Sequence, residues 1–218
     1  MFDIDGTLVD SAGFDDALYA DAVRDVLNVE VDRTWASYTH VTDSGVLEQL
    51  LRETVIGGDA TELAVRVKSR FILLVSEYLA RGESPVREIA GARRLVERLL
   101  ATPGVRIALA TGGWHETATL KLRAIGIDAD RLAFASSSDA VARTEIMRIA
   151  AHRAMDGATF GRATYFGDGP WDRRASALLG YDFIAVGKTV SHSVAFDDLS
   201  DTAAILSRLA VLEGAGVS

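Results

Sequence analysis

The sequence predicts an α/β protein in which a doubly wound parallel sheet is joined to a small all-helical domain. Two observations support this prediction. From residue 86 onwards, short apolar stretches alternate with amphipathic stretches of helical periodicity, which is typical of a parallel sheet covered on both faces. Between residues 13 and 85, helical periodicity continues without any apolar stretch typical of a buried strand.

The elements follow from these two patterns. In the all-helical domain, apolar spacing predicts helices over residues 14–28, 44–56 and 60–81. The α/β domain is then discontinuous, with residues 1–12 joined to residues 86–218. Its predicted strands are 105–110, 132–136, 163–167 and 183–186, and its predicted helices are 88–101, 114–125, 143–154, 172–179 and 200–213.

Polar residues follow several of the predicted strands, at the end where such sheets bind ligands. Because only Met1 and Phe2 precede the first polar cluster, a central strand there would be shorter than the usual ~5 residues. We therefore expect either that the natural protein starts upstream with an apolar segment or that the core beside Asp3 is weakened. The clusters are Asp3-Ile4-Asp5-Gly6, Thr111-Gly112-Gly113, Ser136-Ser137-Ser138-Asp139 and Gly167-Asp168-Gly169.

Composition excludes several classes of function. The net charge of −8, from 23 basic and 31 acidic residues, disfavours broad binding to nucleic acid or to anionic membranes. No apolar run approaches the ~20 residues that a membrane span needs, so we expect a cytoplasmic protein. The absence of cysteine removes thiolate chemistry and cysteine-based zinc sites, and any metal should therefore be a hard cation bound by carboxylates.

The first polar cluster can carry chemistry. On an extended chain, Asp3 and Asp5 project to the same side, and Gly6 allows the backbone to turn sharply after them. One carboxylate could attack a phosphate ester while the other handles a proton, provided that their pKa values differ. Alternatively, the cluster is a solvated turn, since Asp and Gly are common turn residues.

The run Asp3-Ile4-Asp5-Gly6-Thr7 resembles the nucleophile loop of the haloacid dehalogenase-like superfamily, whose phosphatases begin with Asp-x-Asp-Gly-Thr. Three later segments resemble the remaining motifs of that family in order. The resemblance spans nearly the whole chain and implies a Rossmann-like core with a helical cap inserted after the first motif, as in phosphoglycolate phosphatase-like members. The three segments are residues 107–113, 136–145 and 166–172.

The resemblance implies a Mg²⁺-dependent hydrolase of small phosphorylated metabolites. Asp3 would form an aspartyl-phosphate and Asp5 would act as general acid and base. Asp3, Asp5, Asp168 and Asp172 would form the magnesium site, although Asp172 could simply be a first-turn helix acid. The residues implied to bind phosphate are Gly6, Thr7, Thr111, Gly112 and Arg143.

The third motif departs from the usual family pattern, because it normally supplies a lysine. In this stretch Arg143 is the only cation, and its guanidinium can bind phosphoryl oxygens in a bidentate manner. Lys121 is the alternative, but its place within a predicted helix favours a solvated helix face. We therefore favour Arg143 as the catalytic cation, beside the catalytic hydroxyl of Thr111.

Other functions stay open. Dehalogenases of the family lack the second carboxylate, so Asp5 favours phosphate chemistry. A phosphomutase would use both aspartates, but it typically has a histidine shortly after the first motif, and Ser11-Ala12-Gly13-Phe14 has none. A non-catalytic sugar-phosphate-binding module would gain nothing from clustered carboxylates without a metal. The oligomeric state, monomer or homodimer, is not predicted.

Substrate choice should depend on the helical domain. We expect Trp35, Tyr38, His40, Asp43, Ser44 and Trp114 to be candidates for the pocket lining, because a helix N-terminus and a titratable histidine could bind a carboxylate or hydroxyl group. The alternative is that the aromatic residues pack in the core and that Asp43 or Ser44 caps a helix. The resemblance to related phosphatases implies that phosphoglycolate or a small sugar phosphate would suit a cap of this size.

Overall fold

The structure is a computed structural model that describes residues 1–11, 13–54, 57–81 and 86–214. Helices and strands alternate along most of it. The strands are β1 (Val9–Asp10), β2 (Arg87–Glu88), β3 (Ala108–Ala110), β4 (Ala133–Ala135), β5 (Thr164–Gly167), β6 (Asp182–Val186) and β7 (Ala195–Phe196). The helices are α1 (Asp15–Leu27), α2 (Asp43–Glu53), α3 (Ala60–Ala80), α4 (Ala92–Leu100), α5 (His115–Ala124), α6 (Arg143–Met155), α7 (Pro170–Leu179) and α8 (Thr202–Gly214).

The central sheet is parallel, and the first residues of the chain lie in its middle. β3 pairs with β4, while β5 pairs with β6 and β6 with β7. Phe2 joins the two halves: its N–H donates to the Ala108 carbonyl at 2.9 Å, and the Asp3 N–H donates to the Phe166 carbonyl at 2.9 Å. The order is therefore β4, β3, Met1–Phe2, β5, β6, β7, and the predicted α/β fold class is confirmed.

Both faces of the sheet are buried by helices. Alternate residues of a strand point to opposite faces, so neighbouring residues belong to different apolar clusters. Leu109 and Phe166 belong to the apolar cluster that packs on α4, α5 and α8. Ala108, Ala110 and Tyr165 belong to the cluster on the opposite face, against α6 and α7. Because the strands are parallel, the carboxyl ends of β3, β4 and β5 lie at the same edge of this buried sheet.

Two boundaries in the α/β domain differ from the sequence prediction by three or four residues, for local reasons. Residues 105–107 are not part of β3, since the chain is still turning there: the Val105 N–H donates to the Thr102 carbonyl at 3.2 Å. The helix predicted from residue 88 begins only at Ala92, because Arg87 and Glu88 pair with β1 as an antiparallel ladder. Such two-residue strands carry no periodicity that a sequence could reveal, and β7 was missed for the same reason.

Helices α1 to α3 share an apolar cluster of their own, in which Tyr19, Val23, Phe71 and Val75 are buried together with Trp114 from the start of α5. The division into a cap of residues 13–85 and a discontinuous core stays a prediction, and its limits at Ala12 and Pro85 lie outside the described residues, as does the predicted end of the second helix at Ile56. In the part of the chain that the structure describes, no helix has the length and apolar composition needed to cross a membrane.

Candidate active site

The nucleophile loop, named here for the predicted role of Asp3, is a tight turn that follows the central strand. The Ile4 carbonyl accepts the N–H groups of Thr7, Leu8 and Val9, at 3.2, 2.9 and 2.9 Å. Gly6 has a φ of +73°, which favours glycine, and a Cβ there would collide with the carboxylate of Asp168. The turn thereby brings the loop of the first strand against the loop that follows β5.

Three carboxylates meet at this point. Asp3, Asp168 and Asp172 each present an oxygen, and these oxygens lie within 4.8 Å of one another. Asp172 is held in place because its Oδ2 accepts the Gly169 N–H at 3.0 Å. Asp3 Oδ1 and Asp172 Oδ1 are buried and have no hydrogen-bond partner among the residues that the structure describes. Converging carboxylate oxygens, two of them buried without a hydrogen-bond donor, form a site suited to a hard divalent cation.

The pKa values of these groups agree with that interpretation. Burial, and then the charge of Asp172, raise the pKa of Asp3 well above its ordinary value, and Arg143 opposes the increase. Burial, followed by the charge of Asp172, raises the pKa of Asp168 to about 7. A bound cation would favour the ionised forms, because it adds positive charge to that which Arg143 supplies beside Asp3.

Arg143, at the start of α6, is the cation next to the predicted nucleophile. Its Nη1 lies 3.4 Å from Asp3 Oδ2 and 2.8 Å from Asp172 Oδ1. The second contact is an ion pair without hydrogen-bond geometry, since neither atom has a hydrogen-bond partner in the described part of the chain. Nη2 donates to the Val41 carbonyl at 3.2 Å. Arg143 therefore touches the carboxylate cluster and also the segment that precedes α2.

Lys121 does not lie on a solvated helix face, and this expectation was wrong. It is fully buried on α5, and its Nζ lies 2.7 Å from both carboxylate oxygens of Asp5 and 2.8 Å from Oδ1 of Asp15. Thr117 and Ala118, one turn earlier, are buried on the same face, so helical spacing places position 121 inwards. The Asp5 side chain, predicted as a metal ligand, thus faces Lys121 and stands apart from the three grouped carboxylates.

The loop after β3 has the features of an anion-binding site. The Thr111 hydroxyl accepts the Gly113 N–H at 3.2 Å, and the Trp114 N–H donates to Asp43 Oδ2 at 2.8 Å. A Cβ on Gly112 would collide with the Arg143 guanidinium, so the glycine permits this close approach. The loop leads into the N-terminus of α5, where backbone N–H groups favour negative charge.

These groups surround a cavity of about 300 Å³. One end is formed by the strand loops, and the other by residues that flank or belong to α1 and α2. The first set is Asp3, Asp5, Gly6, Thr111, Gly112, Gly113, Arg143, Asp168 and Trp171. The second set is Ser11, Gly13, Asp15, Asp16, Tyr19, Trp35, Val41, Thr42, Asp43 and Val46.

Of the six residues predicted to govern substrate choice, Trp35 and Asp43 line the cavity. The other four do not. The phenolic oxygen of Tyr38 accepts the Asp32 N–H at 3.0 Å inside the helical cluster, and His40 is exposed outside the cavity. The Ser44 hydroxyl donates to the Ser137 carbonyl at 2.7 Å and accepts the indole N–H of Trp114 at 2.8 Å. Ser44 and Trp114 therefore join α2 to the start of α5 and to the loop after β4. Thr7, predicted to bind phosphate, is likewise buried away from the lining.

Sequence reasoning missed the acidic groups that α1 contributes. Asp15 and Asp16 line the cavity, and burial raises the pKa of Asp15 to about 6 while Lys121 opposes that increase. Burial, and then the charge of Asp15, raise the pKa of Asp43 to about 8. Acidic residues in the first turn of a helix are common, so the sequence offered no reason to assign them to a site.

Comparisons with known proteins agree with this geometry. The family model for haloacid dehalogenase-like hydrolases matches residues 1–180. A search of curated proteins found no match. Among solved structures, a hydrolase from Pseudomonas syringae has a TM-score of 0.73 and 21% identity, with 95% of this chain and 97% of that chain covered.

Two further structures have the same fold. A β-phosphoglucomutase from Clostridium difficile has a TM-score of 0.70 and 14% identity, over 97% of this chain and 96% of that chain. A predicted phosphoglycolate phosphatase from Haemophilus somnus has a TM-score of 0.66 and 16% identity, over 94% and 96%. Because the family model covers most of the chain and its motifs converge on one cavity, the protein belongs to the haloacid dehalogenase-like hydrolases.

Proposed function

We propose that the protein hydrolyses small phosphate monoesters in a Mg²⁺-dependent reaction, with Asp3 as the nucleophile and Asp5 as the general acid and base. The observation that carries the proposal is the position of Asp3. It shares a buried carboxylate cluster with Asp168 and Asp172, lies 3.4 Å from Arg143, and lines the cavity. An ionised carboxylate in that position can reach a phosphorus atom bound at the strand ends.

The carboxylate cluster fits magnesium. Asp3, Asp168 and Asp172 would hold the ion, because Mg²⁺ prefers oxygen ligands and binds through a few carboxylates while keeping several waters. When bound, the ion supplies positive charge that keeps Asp3 ionised and offsets the charge of the phosphoryl group. Arg143 lies beside the same carboxylates and would bind phosphoryl oxygens through its guanidinium.

The reaction has two steps. First, a carboxylate oxygen of Asp3 forms a bond to phosphorus while the bond from phosphorus to the leaving oxygen breaks, and Asp5 donates a proton to that oxygen. Next, Asp5 accepts a proton from water as the water oxygen attacks phosphorus, which releases phosphate and restores the Asp3 carboxylate. The Thr111 hydroxyl and the Gly112 N–H would bind the phosphoryl oxygens, since both residues line the cavity.

The cavity limits the substrate. A volume of about 300 Å³ suits a compact phosphorylated metabolite, such as phosphoglycolate or a small sugar phosphate. The fold relatives include proteins named as a phosphoglycolate phosphatase and as a β-phosphoglucomutase. A panel of phosphorylated metabolites, assayed by phosphate release, would identify the preferred class and would separate a hydrolase from a mutase, which returns an isomer.

The decisive test is turnover of p-nitrophenyl phosphate by purified protein. We expect release of p-nitrophenol with Mg²⁺, loss of release after treatment with EDTA, and recovery when Mg²⁺ is added back in excess. A binding module would give no release under any of these conditions. Release that persists in EDTA would contradict the metal-dependent mechanism.

A further inference from the structure

The ammonium group of Lys121 contacts two carboxylates, and the proposed reaction assigns it no role. An ammonium group has three donors, and all three distances to carboxylate oxygens are short: 2.7 Å and 2.7 Å to the two oxygens of Asp5, and 2.8 Å to Asp15. The Lys121 side chain is fully buried, whereas the side chain of Asp5 is 25% exposed and that of Asp15 is 16% exposed. Lys121 thus binds Asp5 from the protein interior, while Asp5 still borders the cavity.

The arrangement joins parts of the chain that are distant in sequence. Asp5 belongs to the nucleophile loop, Lys121 to the core helix α5, and Asp15 is the first residue of α1. Asp5 and Lys121 are 116 positions apart, and Asp15 and Lys121 are 106 apart. Asp15 of α1 therefore helps, through Lys121, to fix the side chain of Asp5 in the nucleophile loop.

Stability alone explains this cluster poorly. Removing an ammonium from water costs several kcal/mol, and replacing a buried ion pair by apolar residues is often neutral or stabilising. Here two carboxylates share one ammonium, so the cluster carries excess negative charge. The carboxyl group of Asp43 lies nearby: a Cβ on Gly113 would lie 3.5 Å from Asp5 Oδ2 and 3.8 Å from Asp43 Oδ2.

We infer that Lys121 is a positioning residue that orients the carboxylate of Asp5 for proton transfer, with Asp15 holding the Lys121 ammonium in place. The inference rests on the proposed role of Asp5 as acid and base. A general acid must lie within hydrogen-bond reach of the leaving oxygen, and small displacements of such groups lower rates by roughly 100-fold. Without Lys121, the Asp5 carboxylate would lose both of its ammonium contacts and be repelled by Asp15.

The first test compares two esters of similar size in Lys121→Met. The nitrophenolate ion leaves p-nitrophenyl phosphate without needing a proton, whereas benzyl phosphate releases an alkoxide that does. We expect kcat/KM to fall roughly 10-fold to 100-fold more for benzyl phosphate than for p-nitrophenyl phosphate. Arg123→Met removes an exposed cation from the same helix and serves as the control, with both rates unchanged.

The second test places Lys121→Met in an Asp5→Asn background. If Lys121 acts through Asp5, the substitution should cause no further loss there. A structural role would lower activity by the same factor in both backgrounds, and for both esters. If Lys121→Met does not fold, Lys121→Met with Asp15→Asn removes both charges, and the same difference between esters is expected.

The outcomes separate the two proposals. A wild-type protein that turns over neither ester would refute the proposed function and the role of Lys121 with it. An active wild type whose variant loses both esters equally would overturn only the role of Lys121. A loss that persists in the Asp5→Asn background would also overturn it.

Discussion

Gly112 and Arg143 pack so closely that the guanidinium occupies the space of the missing side chain at Gly112. The contact joins the loop after β3 to the start of α6. It explains why this loop carries glycine directly after Thr111. The position of the Arg143 guanidinium, the proposed catalytic cation, therefore depends on the absence of a single methyl group.

Gly112→Ala should displace Arg143 from Asp3. We expect kcat/KM for p-nitrophenyl phosphate to fall by roughly 100-fold, because the displaced Arg143 guanidinium would no longer be positioned to bind the phosphoryl group. Gly161→Ala is the matched control, since a Cβ there meets no atom within 4 Å. Equal activity of the two variants would show that the Arg143 side chain moves aside without consequence.

Asp3→Asn should remove turnover by several orders of magnitude while the fold is retained. The carboxamide has nearly the same size but cannot form the acyl phosphate. The melting temperature in EDTA should not fall, since the substitution removes one charge from a cluster of buried carboxylates. Activity close to that of the wild type would reassign the nucleophile.

Asp168→Asn should weaken magnesium binding, because it removes one of the three grouped carboxylates. We expect the Mg²⁺ concentration for half-maximal activity to rise by at least roughly 10-fold. The rise in melting temperature on adding Mg²⁺ should shrink in parallel. Asp197→Asn, which alters a carboxylate whose side chain is 76% exposed, should leave both quantities unchanged. An unaltered Mg²⁺ requirement in Asp168→Asn would place the metal elsewhere.

Asp43 should make stability depend on pH. Burial raises its pKa from 3.8 to about 8, so between these values the folded protein keeps a proton that the unfolded chain has released. The contribution of Asp43 to the free energy of unfolding is therefore largest below pH 3.8. It falls by up to about 1.4 kcal/mol per pH unit as the pH rises, and levels off above about pH 8.

Asp43→Asn isolates this effect, because the amide oxygen can still accept the Trp114 N–H but does not titrate. Measured in EDTA between pH 5 and 8, the free energy of unfolding should decline less steeply with pH in the variant than in the wild type. Identical slopes would mean that Asp43 is ionised throughout this range.

Much of the candidate site could be read from the sequence, because it depends on local rules. Short apolar stretches between amphipathic helices predicted the parallel sheet, and polar residues after these stretches predicted where its loops would meet. Asp3, Thr111, Gly112, Arg143 and Asp168 all border one cavity for that reason. The order of the motifs along the chain was sufficient to indicate the family.

The tertiary structure alone decided which side chains face one another across the loops. Lys121 contacts Asp5 and Asp15 only because α1 and α5 pack beside the nucleophile loop, and no local pattern records a contact across more than 100 residues. The same reason explains why Tyr38 and His40 lie outside the cavity while Asp15 and Asp16 line it. Periodicity and motif spacing act over a few residues, whereas the surroundings of a charged side chain depend on how distant helices pack.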